Sequence, residues 1–243
     1  MWTAIRHSLI ALGLLAVVPA QAAVLSPFTA TYRASHGIIG LGEATFELSR
    51  DNGCWRWHGV ANPSGLAALL IGTVTDDSRF CVTDSGDLSP RQFRHHEADD
   101  AEDSYQLSFN PAEATASHNG GEAFDVPADA VDPFLLQIAA RRWLADAENP
   151  AEAGAREFTV VDEDEIKTYR LAVSEGPSVE TAAGSFKTIR LARVDDGDKQ
   201  LVFWAAPALD FLPVRVEHRK DGSTQIRLDL QSVERMDESG GSI

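Results

Sequence analysis

The chain is short of basic residues and of cysteine, and it has a single long apolar run. Each shortage excludes something. Lys and Arg number 21 against 37 Asp and Glu, a net charge of −16 over 243 residues. Such a surface repels phosphate backbones and anionic lipid heads, which rules against nucleic-acid binding and electrostatic membrane docking. Two cysteines are too few for an all-cysteine structural zinc site. Hydrophobic residues are not lacking. At 44% of the chain they suffice for a real core and exclude general disorder.

The one long apolar run stands at the start. Arg6 and His7 precede Ser8–Val18, Pro19 breaks the run, and Ala20-Gln21-Ala22 follows as a small-x-small site. The run is too short to span a bilayer and has the three parts of a secretory signal. It predicts export, cleavage before Ala23, and a periplasmic protein with no transmembrane segment in its mature part. In an oxidising compartment the lone pair Cys54 and Cys81 predicts a structural disulfide, and the spacing does not fit a redox C-x-x-C pair.

Period-two alternation dominates the rest. It runs through Phe28–Tyr32, Ala44–Leu48, Cys54–Val60, Arg79–Val82, Tyr105–Phe109 and Phe158–Val161. It resumes at Tyr169–Val173, Phe186–Leu191, Leu201–Trp204, Val214–Glu217 and Ile226–Leu230. One apolar and one polar face per strand means half-buried antiparallel sheet. Asp196-Gly197 and Asp221-Gly222 lie between such runs and signal hairpins. Gly37–Gly42 reads as a hairpin turn or bulge.

Two segments break the pattern. Asp132-Pro133 opens a helix running to Ala147, with Asp132 as cap and Pro133 in the first turn. Leu136, Ala139, Ala140, Trp143 and Leu144 form its apolar stripe, and Arg141 and Arg142 suit the C-terminal end of its dipole. Ser64–Ile71 reads as a short helix or an apolar loop between the cysteine strands. Asn149–Gly154 reads as a linker. The chain therefore divides into a signal peptide (1–22), one β-rich domain (23–236) and a disordered tail (237–243). Halves 23–148 and 155–236 are the alternative division.

No catalytic residue and no cofactor is assigned. The densest polar cluster, His95–Asp103, fits neither a zinc helix motif nor a calcium loop, and neighbouring strand residues such as His95 and His96 face opposite ways. It reads as a solvated hairpin tip, and Asp162–Glu165 as a charged turn. There is no G-x-S-x-G nucleophile elbow and no phosphate cradle after a strand. His36, His58, His118 and His218 are scattered.

Four segments carry a family resemblance. They are Phe28–Tyr32 with Gly37–Ala44, the Leu88-Ser89-Pro90 turn, Thr181–Thr188, and Trp204–Pro207 with Leu212–Val216. In this order they resemble the bacterial periplasmic family known as domain of unknown function 3108. The resemblance implies a mainly β fold: a highly curved antiparallel sheet, or open barrel, wrapping around one main α-helix, similar to lipoprotein-carrier sheets. It implies no reaction.

Three function classes follow. The first is a non-enzymatic envelope protein that binds or carries an apolar, lipid-like component in the concave sheet. Phe134, Leu135 and Ile138 would border that groove. The second is an envelope scaffold that meets partner proteins and holds no small ligand. The third is a hydrolase or metal enzyme without a recognisable motif.

Overall fold

A computed structural model describes residues 25–69, 72–194 and 199–236. The leader with its cleavage site before Ala23, the tail 237–243, Leu70, Ile71 and the Asp196-Gly197 hairpin signal lie outside the described residues.

Eight strands precede the helix: β1 (Phe28–His36), β2 (Ile39–Asp51), β3 (Cys54–Pro63) and β4 (Val74–Val82), then β5 (Leu88–Glu97), β6 (Asp100–Asn110), β7 (Thr115–His118) and β8 (Ala123–Asp125). The helix α1 (Leu136–Asp146) follows. Eight more strands follow among the described residues: β9 (Ala155–Asp162), β10 (Glu165–Glu175), β11 (Val179–Thr181) and β12 (Gly184–Phe186), then β13 (Ile189–Arg193), β14 (Lys199–Ala206), β15 (Leu212–Lys220) and β16 (Ser223–Arg235). The run Phe186–Leu191, expected as one strand, is split between β12 and β13, with Lys187 and Thr188 between them.

Fourteen strands form one antiparallel sheet in the order β8-β7-β6-β5-β4-β3-β2-β1-β16-β15-β14-β13-β10-β9. The expected mainly β, strongly curved sheet around one helix is what the chain adopts, and the sheet is not closed into a barrel. Its first half is a meander, and β1–β16 pairing joins it to the second. Curvature brings the two ends near each other, and the segment after β8 bridges part of the seam. Val131 makes a parallel bridge to Val160 of β9, its N–H donating to the Thr159 carbonyl at 3.0 Å.

The turn chemistry acts as expected. Asp221 and Gly222 both have positive φ (51° and 75°), the two-residue geometry that a right-twisted hairpin favours. Gly37–Gly42 supplies both turn and bulge: the chain reverses at Gly37, and the β1–β2 register shifts between Ala34 and Ser35. Ser64–Ile71 contains a short 3-10 turn at Ala67–Leu69. Cys54 and Cys81 form a disulfide between the neighbouring strands β3 and β4.

Strand pairing defines two rims. The β1–β2, β3–β4, β5–β6, β9–β10 and β15–β16 connections share one, the upper rim. The β2–β3, β4–β5, β6–β7 and β14–β15 connections share the lower rim. The helix sits inside and runs toward the lower rim.

Candidate functional site

Asp132 opens the turn that leads into the helix, and its carbonyl accepts from the Leu136 N–H at 3.1 Å. Its Oδ1 accepts hydrogen bonds from the backbone N–H of Phe134 (3.0 Å) and Leu135 (2.7 Å), two donors the first turn leaves unsatisfied. Its Oδ2 accepts from Ser78 Oγ of β4 at 2.6 Å. Asp132 thus caps the turn that leads into the helix, whereas the helix itself starts later than expected, at Leu136, with Leu135 in its N-cap position and no side-chain cap there; the Ser78 bond also ties this turn to the sheet. Burial pushes the Asp132 carboxyl up to about 7, against the opposing effect of those hydrogen bonds.

The helix fills the concave face. Phe134, Leu135 and Ile138 are 4%, 0% and 0% exposed, and Leu144 is fully buried. Phe134 stacks on Trp57 (centroids 5.2 Å apart, planes at 17°), and Trp57 stacks on Phe46. Gly59 makes room, because a Cβ there would stand 2.8 Å from the Phe134 ring. Phe134, Leu135 and Ile138, expected at a groove border, are thus placed in the core, with sheet side chains packed against them. The expected stripe is also rotated. Ala140 and Leu144 are buried, whereas Leu136, Ala139 and Trp143 are half-buried. Arg141 is buried in their place. Its Nε donates to the Asp210 carbonyl at 3.1 Å and its guanidinium lies 5.0 Å from the Phe28 ring centre. Arg142 reaches the Gly86 carbonyl at 2.5 Å. Both arginines, expected to serve the helix dipole, stand before the last turn and instead fasten the helix to turns of the lower rim.

A cleft of about 580 Å³ opens at that rim, beside the helix. Ala139, Arg142, Trp143 and Asp146 form its helix wall. Phe158 of β9 closes one side, and Pro90, Phe109 and Pro127 face it from the other half of the sheet. Trp143 meets Phe158 edge-on at 6.0 Å. Arg142 and Arg156 share the rim with Asp87, Asp129, Asp146 and Glu157, a mixed set with more acid than base. This cleft is where the sheet's seam is left open, which is why strand alternation alone does not reveal it.

The upper end of the interior is closed by a polar network. His95 Nδ1 lies 2.7 Å from Asp76 Oδ1, and its Nε2 lies 3.4 Å from Glu97 Oε1. The Asp76 hydrogen bond raises the His95 pKa above its usual value. His96 turns the other way, to Ser104, as strand geometry requires. Tyr105 Oη donates to Asp162 Oδ1 at 2.9 Å, which links β6 to β9 across the seam. Lys167 and Tyr169 donate to the other Asp162 oxygen. Asp162 is held below the usual carboxylate range by these donors, although burial opposes them. Tyr105 is pushed upward by burial and by Asp162, so its phenol stays protonated. Two residues read as solvated turn, His95 and Asp162, therefore belong to a built network. Glu97, Lys167 and Tyr169 are near in sequence, but the partners that close the network, Asp76 for His95 and Tyr105 for Asp162, lie 19 and 57 positions away.

Of the remaining histidines, His118 joins this network through the Tyr105 ring, which also meets the His95 ring, whereas His36 and His58 lie apart from it. His36 Nδ1 faces the Gln225 carbonyl, His58 pairs with Asp77, and the His118 ring packs against Tyr105. Among the described residues no group of three or more His, Cys, Asp or Glu is placed to hold a metal.

The family model for the protein of unknown function DUF3108 matches residues 28–231, from the first strand into the last. The chain belongs to the DUF3108 family. No curated protein matches this DUF3108 chain significantly in sequence. Among solved structures it is similar to a β-barrel-like protein of the domain of unknown function DUF1849 from Brucella abortus. That match has 13% identity and a TM-score of 0.51, and covers 88% of this chain and 99% of the other. The likeness shows the fold alone. Two weaker matches are a candidate exported protein with a YmcC-like fold from Bacteroides fragilis and a candidate lipoprotein from Parabacteroides distasonis. The first has 10% identity, a TM-score of 0.33, and coverage of 86% and 95%. The second has 8% identity, a TM-score of 0.31, and the same coverage. No helix among the described residues of this DUF3108 protein is long and apolar enough to cross a membrane.

Proposed function

We propose that the protein is an exported, periplasmic envelope protein without catalytic activity. In this reading it binds an apolar or amphipathic envelope component in the lower-rim cleft, not in the hollow of the sheet. The cleft carries the proposal. Its volume of about 580 Å³ falls in the range of small-molecule sites, and Phe109, Trp143, Phe158, Pro90 and Pro127 give its mixed lining an apolar part. The mixed rim charge suits a neutral or zwitterionic head better than an anion. A fluorescent acyl probe with a zwitterionic head should bind the purified protein. Ala139→Trp, which fills the cleft from the helix side, should weaken binding at least about tenfold at unchanged melting temperature. No saturable binding to the wild type would refute the carrier reading. The filled concave face favours a second reading, an envelope scaffold with no small ligand, and that reading would then stand alone.

A further inference from the structure

The exposed large aliphatic residues are not scattered. Ile38 and Ile39 are 103% and 59% exposed at the β1–β2 tip, and Leu66 and Leu69 are 79% and 78% exposed in the adjoining β3–β4 loop. The two tips are neighbours: Gly42 pairs with Pro63, and the Ser64 N–H donates to the Leu41 carbonyl at 2.8 Å. Ile226, on β16 beside β1, is exposed at the same rim, as are Ile166 and Val194. Of the large hydrophobics exposed among the described residues, only Val82 lies at the other end. The tips also lack charge. In a chain with 24% charged residues, Ala34–Gly42 and Gly59–Thr75 contain no Asp, Glu, Lys or Arg.

We infer that the upper rim docks on a neutral lipid surface by shallow insertion of the Ile38–Ile39 and Leu66–Leu69 tips. Charge selects this occupant. The rim carries Asp99, Asp100, Glu102 and Asp103 at the β5–β6 connection and Glu163 and Asp164 at the β9–β10 turn, against Arg219 and Lys220 at the β15–β16 turn, so carboxylates are in excess. An anionic membrane would be repelled by these carboxylates, and a second copy of the chain, at net charge −16, would be repelled as well. The tips hold no aromatic residue and no arginine, the residue types that anchor protein interfaces. Uncharged aliphatic tips standing clear of the sheet match the boundary between zwitterionic heads and acyl chains, where burial of apolar area drives binding. Docked in this way, the protein holds its lower-rim cleft away from the membrane.

The test is sedimentation with phosphatidylcholine–phosphatidylethanolamine vesicles. The purified protein should partition onto them, and added salt should change little. Ile38→Asp and Leu66→Asp should each lower the partition coefficient about tenfold or more, the equivalent of one apolar side chain returned to water. Both side chains are almost wholly in solvent, so the circular dichroism and melting temperature should stay at wild-type values. Ile38→Trp should bind more tightly and shift its emission to the blue on vesicle addition. Three results would overturn the inference. One is no partitioning onto neutral vesicles. Another is binding confined to anionic vesicles and abolished by salt. The third is a concentration-dependent dimer, or a partner protein, that Ile38→Asp releases while no vesicle binding is seen.

Discussion

Asp132 joins three tasks in one side chain: it caps the turn that leads into the helix, bonds Ser78 across the interior, and stands at the seam next to the Val131 bridge. Asp132→Ala leaves two backbone N–H groups and a hydroxyl without partners in a buried place. The loss should be about 1–3 kcal/mol, read by urea unfolding. Asp132→Asn keeps an acceptor for the amides and can still pair with Ser78, so it should cost less than the alanine variant. Equal losses for the two would mean that the capping bonds contribute nothing. The cap was legible from Asp132-Pro133 followed by an apolar run. The Ser78 contact was not, since it joins residues 54 positions apart and depends on how the sheet curls.

At the scale of the element, the helix shows where periodicity stops being informative. From Phe134 to Leu144 the only polar residues are Gln137, Arg141 and Arg142, so a wide arc is apolar and the phase of the buried face is underdetermined. The sheet settles it. The Phe134 ring fits over Gly59 and against Trp57, which turns Ile138 inward and carries Arg141 to the Asp210 carbonyl. Ile138→Asp therefore places an unpaired carboxylate in a filled core. It should unfold the protein or destabilise it by more than about 3 kcal/mol, in contrast to Ala139→Trp on the cleft side. A soluble Ile138→Asp variant with wild-type melting would refute the placement of this face.

The strands were more legible than the helix face, because their period of two leaves no freedom of phase. The disulfide followed from compartment and count. It closes a separation of 27 residues, and replacing both cysteines by alanine should cost about 2–5 kcal/mol. Thiol labelling of the denatured, unreduced protein should find no free thiol, and two labelled thiols would refute the bridge.

The whole molecule is an incomplete barrel with its lower opening occupied by the helix and its upper opening closed by polar groups, and the two closures titrate in the same sense. His95 has its pKa raised by Asp76, so the stability from that pair is fully present below about pH 6.5, the ordinary histidine value, and fades as pH rises through the higher folded value. Asp132 has its pKa raised by burial from 3.8 to about 7, so the folded state holds a proton that the unfolded state releases. That contribution also declines as pH rises from 3.8 toward 7. Asp162 and Glu217 act oppositely. Their carboxyls are depressed by cationic and hydroxyl donors, so they stabilise the fold above their ordinary values and lose that effect in acid. The melting temperature should therefore peak between about pH 4.5 and 6 and fall toward pH 8. Over the upper part of that range the other carboxylates are already ionised, which isolates His95 and Asp132. Asp76→Asn should lower the His95 pKa, seen by NMR titration, and Asp132→Asn should remove a further part of the decline. If a double variant retains the full wild-type slope between pH 6 and 8, the polar closure and the Asp132 cap are not what couples this fold to pH.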